Sequence, residues 1–225
     1  MRRTILTMLL AGAGVAQGAA LFSNAGTGND RLGSGFSLGV QFVVSASQLT
    51  VVSLGFYDTT GGALLTNHEL GLWDVTAGHL LVGDVTVNQG SSSGGSPGFI
   101  YVALPNPVAL VNGDEYRLAA YYPTGDSSST DHLLDCCTGT APTADPRFTS
   151  LVGAFTPSNV VGSLSEPTGN AGHAYVGPNL QFNTPEPGTG TLIILAGAIA
   201  ILMLRVNALL RARAELEHDD DDLGE

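Results

Sequence analysis

Apolar and polar positions alternate with a period of two through the middle of the chain. Phe36, Leu38, Val40 and Phe42 interleave with Ser37, Gly39 and Gln41, and Tyr116, Leu118, Ala120 and Tyr122 repeat the pattern. Successive strand side chains point to opposite faces, so this spacing predicts strands with one buried face. Further strands are expected at 49–57, 68–75, 79–87, 99–104, 147–155 and 175–182. Gly61-Gly62, Ala77-Gly78 and the Ser/Gly-rich stretch 89–98 punctuate them. Eight or nine short strands separated by turns predict an all-β fold, an antiparallel β-sandwich of jelly-roll-like form. Phe42, Phe56, Trp73, Tyr101, Tyr116 and Phe148 are its expected large core anchors.

The two ends break this pattern. Arg2 and Arg3 precede an apolar run, Ile5 to Leu10, followed by small residues through Ala20. That order reads as a secretory signal peptide cut after Ala20, with Ala16 to Gly18 the second choice. Near the other end, Gly188 to Leu204 is uncharged and mostly apolar. As a helix it is roughly 25 Å long, and continuation through Val206 to Leu210 brings it to bilayer thickness. Arg205, Arg211 and Arg213 then mark the cytoplasmic flank. The expected organisation is a signal peptide (1–20), an exported sandwich (21–183), a sorting and membrane-anchor segment with one transmembrane helix (184–213) and an acidic tail (214–225).

Composition sharpens this picture. Only 12% of residues are charged, and the net charge is -12. All eight basic residues are Arg. Between residues 21 and 183 only Arg31, Arg117 and Arg147 are basic, so a nucleic-acid-binding face is excluded: it needs clustered cations against phosphate.

Before the apolar run stands Thr184-Pro185-Glu186-Pro187-Gly188, an extended segment because each proline fixes its own φ and biases its predecessor away from the helix. Pro-Glu-Pro, an apolar span and an Arg cluster, in a chain with a signal peptide, resemble the PEP-CTERM sorting signal of exopolysaccharide-producing Gram-negative bacteria. The resemblance implies recognition by exosortase, an integral-membrane Cys protease or transpeptidase. It makes Pro185, Glu186 and Pro187 the recognition motif and Arg205, Arg211 and Arg213 the membrane-retention charges. The implied itinerary is an inner-membrane-anchored precursor, then the cell surface or extracellular matrix, with exopolysaccharide a possible partner. The chain departs from the family pattern in having Thr184 and Gly188 around the motif, a split Arg cluster and an acidic tail. Leu54-Gly55-Phe56-Tyr57-Asp58, His68-Glu69-Leu70-Gly71-Leu72-Trp73-Asp74, Gly78-His79-Leu80-Leu81-Val82 and Asn112-Gly113-Asp114-Glu115-Tyr116-Arg117-Leu118-Ala119 are similar to uncharacterised β-sandwich domains that PEP-CTERM proteins often carry.

Candidate chemistry is sparse. His68, Glu69, Asp74 and His79 crowd into one stretch, but on a strand His68 and Glu69 face opposite ways, and His68 and Asp74 lie about 20 Å apart. The reading is hairpin-end polar residues with no catalytic site and no metal. A Ca2+ held by loop carboxylates such as Asp58 and Asp74 is the weakly supported alternative, without a regular Asp-x-Asp-x-Asp-Gly loop behind it. The serines of 89–97 and 127–129 lack a nucleophile motif. Cys136 and Cys137, adjacent in sequence, allow a strained vicinal disulfide or free thiols. No cofactor is expected. The leading expectation is a non-enzymatic exported protein. The second is a carbohydrate- or matrix-polymer-binding module using Trp73 or Tyr121-Tyr122, and the third is an extracellular hydrolase.

Overall fold

A computed structural model describes residues 18–27, 29–31, 35–123, 133–135, 140–156, 163–172, 174–184, 202–203 and 205–206. The chain divides into two units, 1–184 and 185–225.

The first unit is all-β. Its strands are β1 (Ala19–Ala20), β2 (Asn29–Arg31), β3 (Phe36–Val44), β4 (Leu49–Asp58), β5 (His68–Asp74), β6 (His79–Val87), β7 (Gly98–Leu110), β8 (Glu115–Tyr122), β9 (Leu133–Asp135), β10 (Phe148–Phe155), β11 (Gly169–Ala171) and β12 (Pro178–Asn183). They form two antiparallel sheets, ordered β1-β12-β4-β7 and β11-β10-β3-β8-β5-β6, and a short β2-β9 ladder. The alternation fixes which face is inward. Leu38, Val40, Phe42 and Val44 of β3 and Tyr116, Leu118, Ala120 and Tyr122 of β8 meet Leu54 and Phe56 of β4 and Leu180 and Phe182 of β12 in one core. Phe148 sets its ring edge-on against both Phe42, at 5.2 Å, and Phe182, at 5.0 Å, and so ties the second sheet to the first.

Of the expected anchors, Phe42, Phe56, Tyr116 and Phe148 lie in this core. Trp73 and Tyr101 do not: strand parity puts both on outer faces. Phe182 and Phe22 are fully buried aromatics outside that set of anchors, and Tyr122, inward by the period of β8, is buried with them. The Tyr116 hydroxyl closes a tight corner by accepting from the Val111 amide at 2.9 Å. Burial raises its pKa, the Val111 hydrogen bond opposes this, and the charges of Asp74 and Asp114 add to the rise.

β7 runs to Leu110, well past the expected end at 104, although it contains Pro105 and Pro107. It lies at the edge of its sheet, and its register with β4 slips between Val51 and Ser53, so the missing proline donors cost the ladder little. β1, β2, β9 and β11 are two or three residues long and carry no readable period. β1 falls on the last two residues of the segment read as signal peptide.

In the second unit, Leu202, Met203, Arg205 and Val206 are helical and exposed. Among the described residues no helix is long and apolar enough to cross a membrane; the expected span lies almost wholly outside them.

Candidate functional site

The four polar residues singled out in 68–79 do not converge. His68 points into the core, fully buried, with its ring stacked on Phe56 at 3.8 Å and 10°. Its Nδ1 lies 3.2 Å from the Tyr121 carbonyl and its Nε2 3.2 Å from Thr66 Oγ1. A carbonyl only accepts, so Nδ1 carries the proton, and in the neutral ring Nε2 accepts from the threonine hydroxyl. Glu69 faces outward and accepts from the Leu164 amide at 3.1 Å. Asp74 and His79 are register partners at the far end of the hairpin, where Asp74 Oδ1 accepts from the Ala77 amide at 2.7 Å and closes the turn. His68, Glu69 and Asp74 each serve a local structural bond, and His79 is exposed.

Asp58 is engaged more heavily still. Fully buried at the end of β4, its Oδ1 accepts from Thr60 N (3.0 Å), Thr60 Oγ1 (3.3 Å) and Gly61 N (2.8 Å). Its Oδ2 accepts from Ser93 N (3.0 Å) and Ser93 Oγ (2.9 Å). Burial alone would raise the pKa, but the hydrogen bonds from Ser93, Thr60 and Gly61 together outweigh it and hold the carboxyl below its ordinary 3.8. Five donors leave this carboxylate little capacity for Ca2+. Its task is to pin the 91–96 loop to the end of β4, and Ser92 Oγ adds a bond to the Gly61 carbonyl at 2.6 Å. Among the described residues no group of three or more His, Cys, Asp or Glu side chains is placed to hold a metal ion.

The aromatic residues offered for ligand stacking are covered. Tyr122 is in the core, and Tyr121 is 7% exposed. Trp73, on the outer face of the second sheet, is also 7% exposed. Its ring and Leu164 occupy the space where a Cβ on Gly71 would stand. Residues 164–166 are fastened over this face by Leu164 N to Glu69, by Ser165 N to Ser37 Oγ at 3.0 Å and by the Arg117–Glu166 ion pair at 2.8 Å. The sequence carries no sign of the segment laid across this face, and Trp73, expected as a core anchor, lies under it rather than in the core.

A different aromatic group remains accessible. On the outer face of the first sheet Tyr57, Phe99 and Tyr101 are half-buried, with ring centroids 5.0 and 6.0 Å apart in series. Gly55 makes room for the set, because a Cβ there would come within 2.5 Å of the Tyr101 ring. The N-terminal segment forms the opposite wall, so that Phe22, Ser23, Asn24, Tyr57, Phe99 and Tyr101 line an open cleft of about 330 Å³. Asn179 fixes that wall. Its Oδ1 accepts from Phe22 N at 3.0 Å, and its Nδ2 donates to Phe22 O and to Tyr101 Oη, both at 2.9 Å. Burial pushes the Tyr101 phenol well above its ordinary pKa, so it stays protonated. The signal available in sequence was Tyr57 on one strand and Phe99 and Tyr101 at i, i+2 on the next, but their register was not.

Pro185, Glu186, Pro187, Arg211, Arg213, Cys136, Cys137 and the serines of 127–129 lie outside the described residues. Arg205 is described only as an exposed helical position.

These features define an all-β module of two antiparallel sheets whose polar side chains mostly staple its own loops. Residues 24–174 match the model of the family described as Domain of unknown function (DUF4082), and the chain belongs to that family. Neither the curated proteins nor the solved structures give a match. The matched range ends before β12 and begins after β1, although both strands belong to the first sheet.

Proposed function

We propose that this protein is a non-enzymatic component of the bacterial envelope or extracellular matrix. In this reading it is exported by its N-terminal signal, held by its C-terminal helix and passed to an exosortase-type processing enzyme. The ordered set Pro185-Glu186-Pro187, apolar run, and Arg205, Arg211 and Arg213 carries this reading. The structural employment of His68, Glu69, Asp74 and Asp58 supports the non-enzymatic part. The exported body is read as a jelly roll: the orders β1-β12-β4-β7 and β3-β8-β5-β6 are those of its two four-stranded sheets, with β10 and β11 added at one edge. Mass spectrometry of the mature protein from its native cell tests the sorting. The expected C-terminus lies within or shortly after Pro185 to Pro187, and an intact Glu225 in all molecules refutes the proposal.

The cleft favours a second reading, in which the body binds a carbohydrate. Three aromatic rings in series can stack on the apolar faces of sugar rings, with polar Ser23 and Asn24 at the rim, and the volume is in the range of small-ligand sites. A glycan array with the wild type and Tyr57→Ala and Phe99→Ala variants tests it. Binding that both variants lose is expected, and no binding by the wild type removes the reading.

A further inference from the structure

The sequence offers two small-x-small cleavage sites for signal removal, Ala16-Gln17-Gly18 and Gly18-Ala19-Ala20, and its reading prefers the cut after Ala20. The fold argues for the other. We infer that the scissile bond is Gly18–Ala19, so that the mature chain begins with Ala19, inside β1. This rests on the export reading above.

Residues 19 and 20 are part of the folded sheet. Ala19 pairs with Phe182 and Ala20 with Gln181, and among the described residues β1 is the neighbour of β12 on that side. The next residue continues the attachment: Leu21 N donates to Leu180 O at 3.0 Å. Leu21 and Phe22 are then fully buried, with Phe22 held on both its amide and its carbonyl by Asn179. A cut after Ala20 would remove β1 and leave β12 with an open edge. It would also place the new α-amino group on Leu21. An α-amino group has a pKa of about 7.7–8.0, so it would be largely cationic at neutral pH in a fully buried position, which is unfavourable without a counter-charge. A cut after Gly18 instead places the charge on Ala19, which is exposed, and keeps both register pairs.

The reaction itself is ordinary amide hydrolysis by a membrane-bound signal peptidase. Water adds across the Gly18–Ala19 bond, leaving a carboxylate on Gly18 and an ammonium on Ala19. Gly18 supplies the small residue before the bond and Ala16 the small residue two positions earlier. Because Ala19 pairs with Phe182, Ala19 and Asn183 lie at the same end of the first sheet.

Intact-mass measurement and N-terminal sequencing of the full chain, secreted into the periplasm of a Gram-negative host, test this. A start at Ala19 is expected. A start at Leu21, or at any other residue of the mature region, overturns the inference and leaves export standing, whereas a chain that retains Met1 overturns both. As a second arm, Gly18→Tyr places a bulky residue directly before the bond. The species starting at Ala19 should fall at least tenfold; an undiminished yield of that species overturns the inference.

Discussion

Replacing Asp58 by Asn changes one atom and tests the claim that this carboxylate is a loop clamp. The side chain keeps its shape, but one oxygen becomes an NH2 group, which cannot accept. If it takes the Oδ2 place, it faces Ser93 N–H and Ser93 Oγ; if it takes the Oδ1 place, three donors from Thr60 and Gly61 lose their acceptor. Hydrogen bonds to a charged acceptor contribute about 1.5–3 kcal/mol each, and the penalty is larger where a donor is left buried. Ser93 is half-exposed and water can take over part of its bonding, so the expected loss is about 2–3 kcal/mol. For a domain of this size that lowers Tm by about 4–12 °C. The assay is thermal unfolding followed by circular dichroism, repeated across pH. The folded carboxyl titrates below 3.8 while the unfolded one titrates near it. Between those values the unfolded chain binds more protons, so the clamp's contribution is complete above the unfolded pKa and disappears as pH falls through the folded pKa. The Asp58→Asn side chain does not titrate, so the gap between wild type and variant should narrow as pH drops below about 4. A variant within about 1 °C of wild type at neutral pH would refute the clamp. So would a wild-type Tm that rises by several degrees on adding millimolar Ca2+ and falls with chelator, since ligand binding to the native state stabilises it.

Four further outcomes follow from the packing. Trp73 is the sole tryptophan and is covered by residues 164–166, so its fluorescence should be blue-shifted, weakly quenched by acrylamide and unchanged by any glycan that binds the Tyr57–Phe99–Tyr101 cleft. Gly39→Ala should abolish folding, because the new Cβ would stand 1.9 Å from the Leu118 carbonyl oxygen, in the backbone of the paired strand; recovery of folded protein at normal yield would contradict the β3–β8 pairing. Gly78→Ala, in open space at φ +72, should cost only the left-handed backbone penalty of about 1–2 kcal/mol in a denaturant titration. Truncation to 24–174 should fail to unfold cooperatively in the same titration, because it removes β12 with the buried Leu180 and Phe182, each worth about 1.5–3 kcal/mol of burial.

The strands were legible wherever period two persisted. β6 matches its expected span, and β4, β5, β8 and β10 differ from theirs by a residue at one end. Legibility ended where pairing rather than composition decided the outcome. β7 runs through two prolines because it has a ladder on one side only, which a single strand's sequence does not display. β1 is two alanines that become a strand only because β12 offers an edge. The candidate site shows the same limit. Trp73, expected among the core anchors, faces outward instead, yet outward-facing is not the same as exposed: the segment bearing Leu164 and Glu166 covers that face from far along the chain. His68 was read as a hairpin-end polar residue; it lies inside because its two ring nitrogens find Tyr121 O and Thr66 Oγ1 and its face finds Phe56.

The distribution of bonded polar groups bears directly on function. A catalytic carboxylate or imidazole needs unspent hydrogen-bonding capacity aimed at a space a substrate can enter. Asp58, Asp74, Glu69 and His68 have theirs aimed at the loops and strands of the protein itself, and Asp145 is taken by Arg147, which donates to it at 2.7 Å from both Nε and the terminal nitrogen. That pairing, chiefly the Arg147 hydrogen bonds, depresses the Asp145 pKa, while the guanidinium also lies 4.6 Å over the Phe182 ring at the core's edge. Shape and apolar surface coincide at the half-buried series Tyr57, Phe99 and Tyr101. Its wall is the Ala20–Ala25 segment, fastened by Asn179 of β12, so the cleft depends on two strands that lie outside the 24–174 match. Members of the family that share the matched range but enter and leave the sheet differently should therefore keep the fold's central strands and lose this cleft. Ligand recognition, if it resides here, is then a property of the strands at the two ends of the domain rather than of the family as a whole.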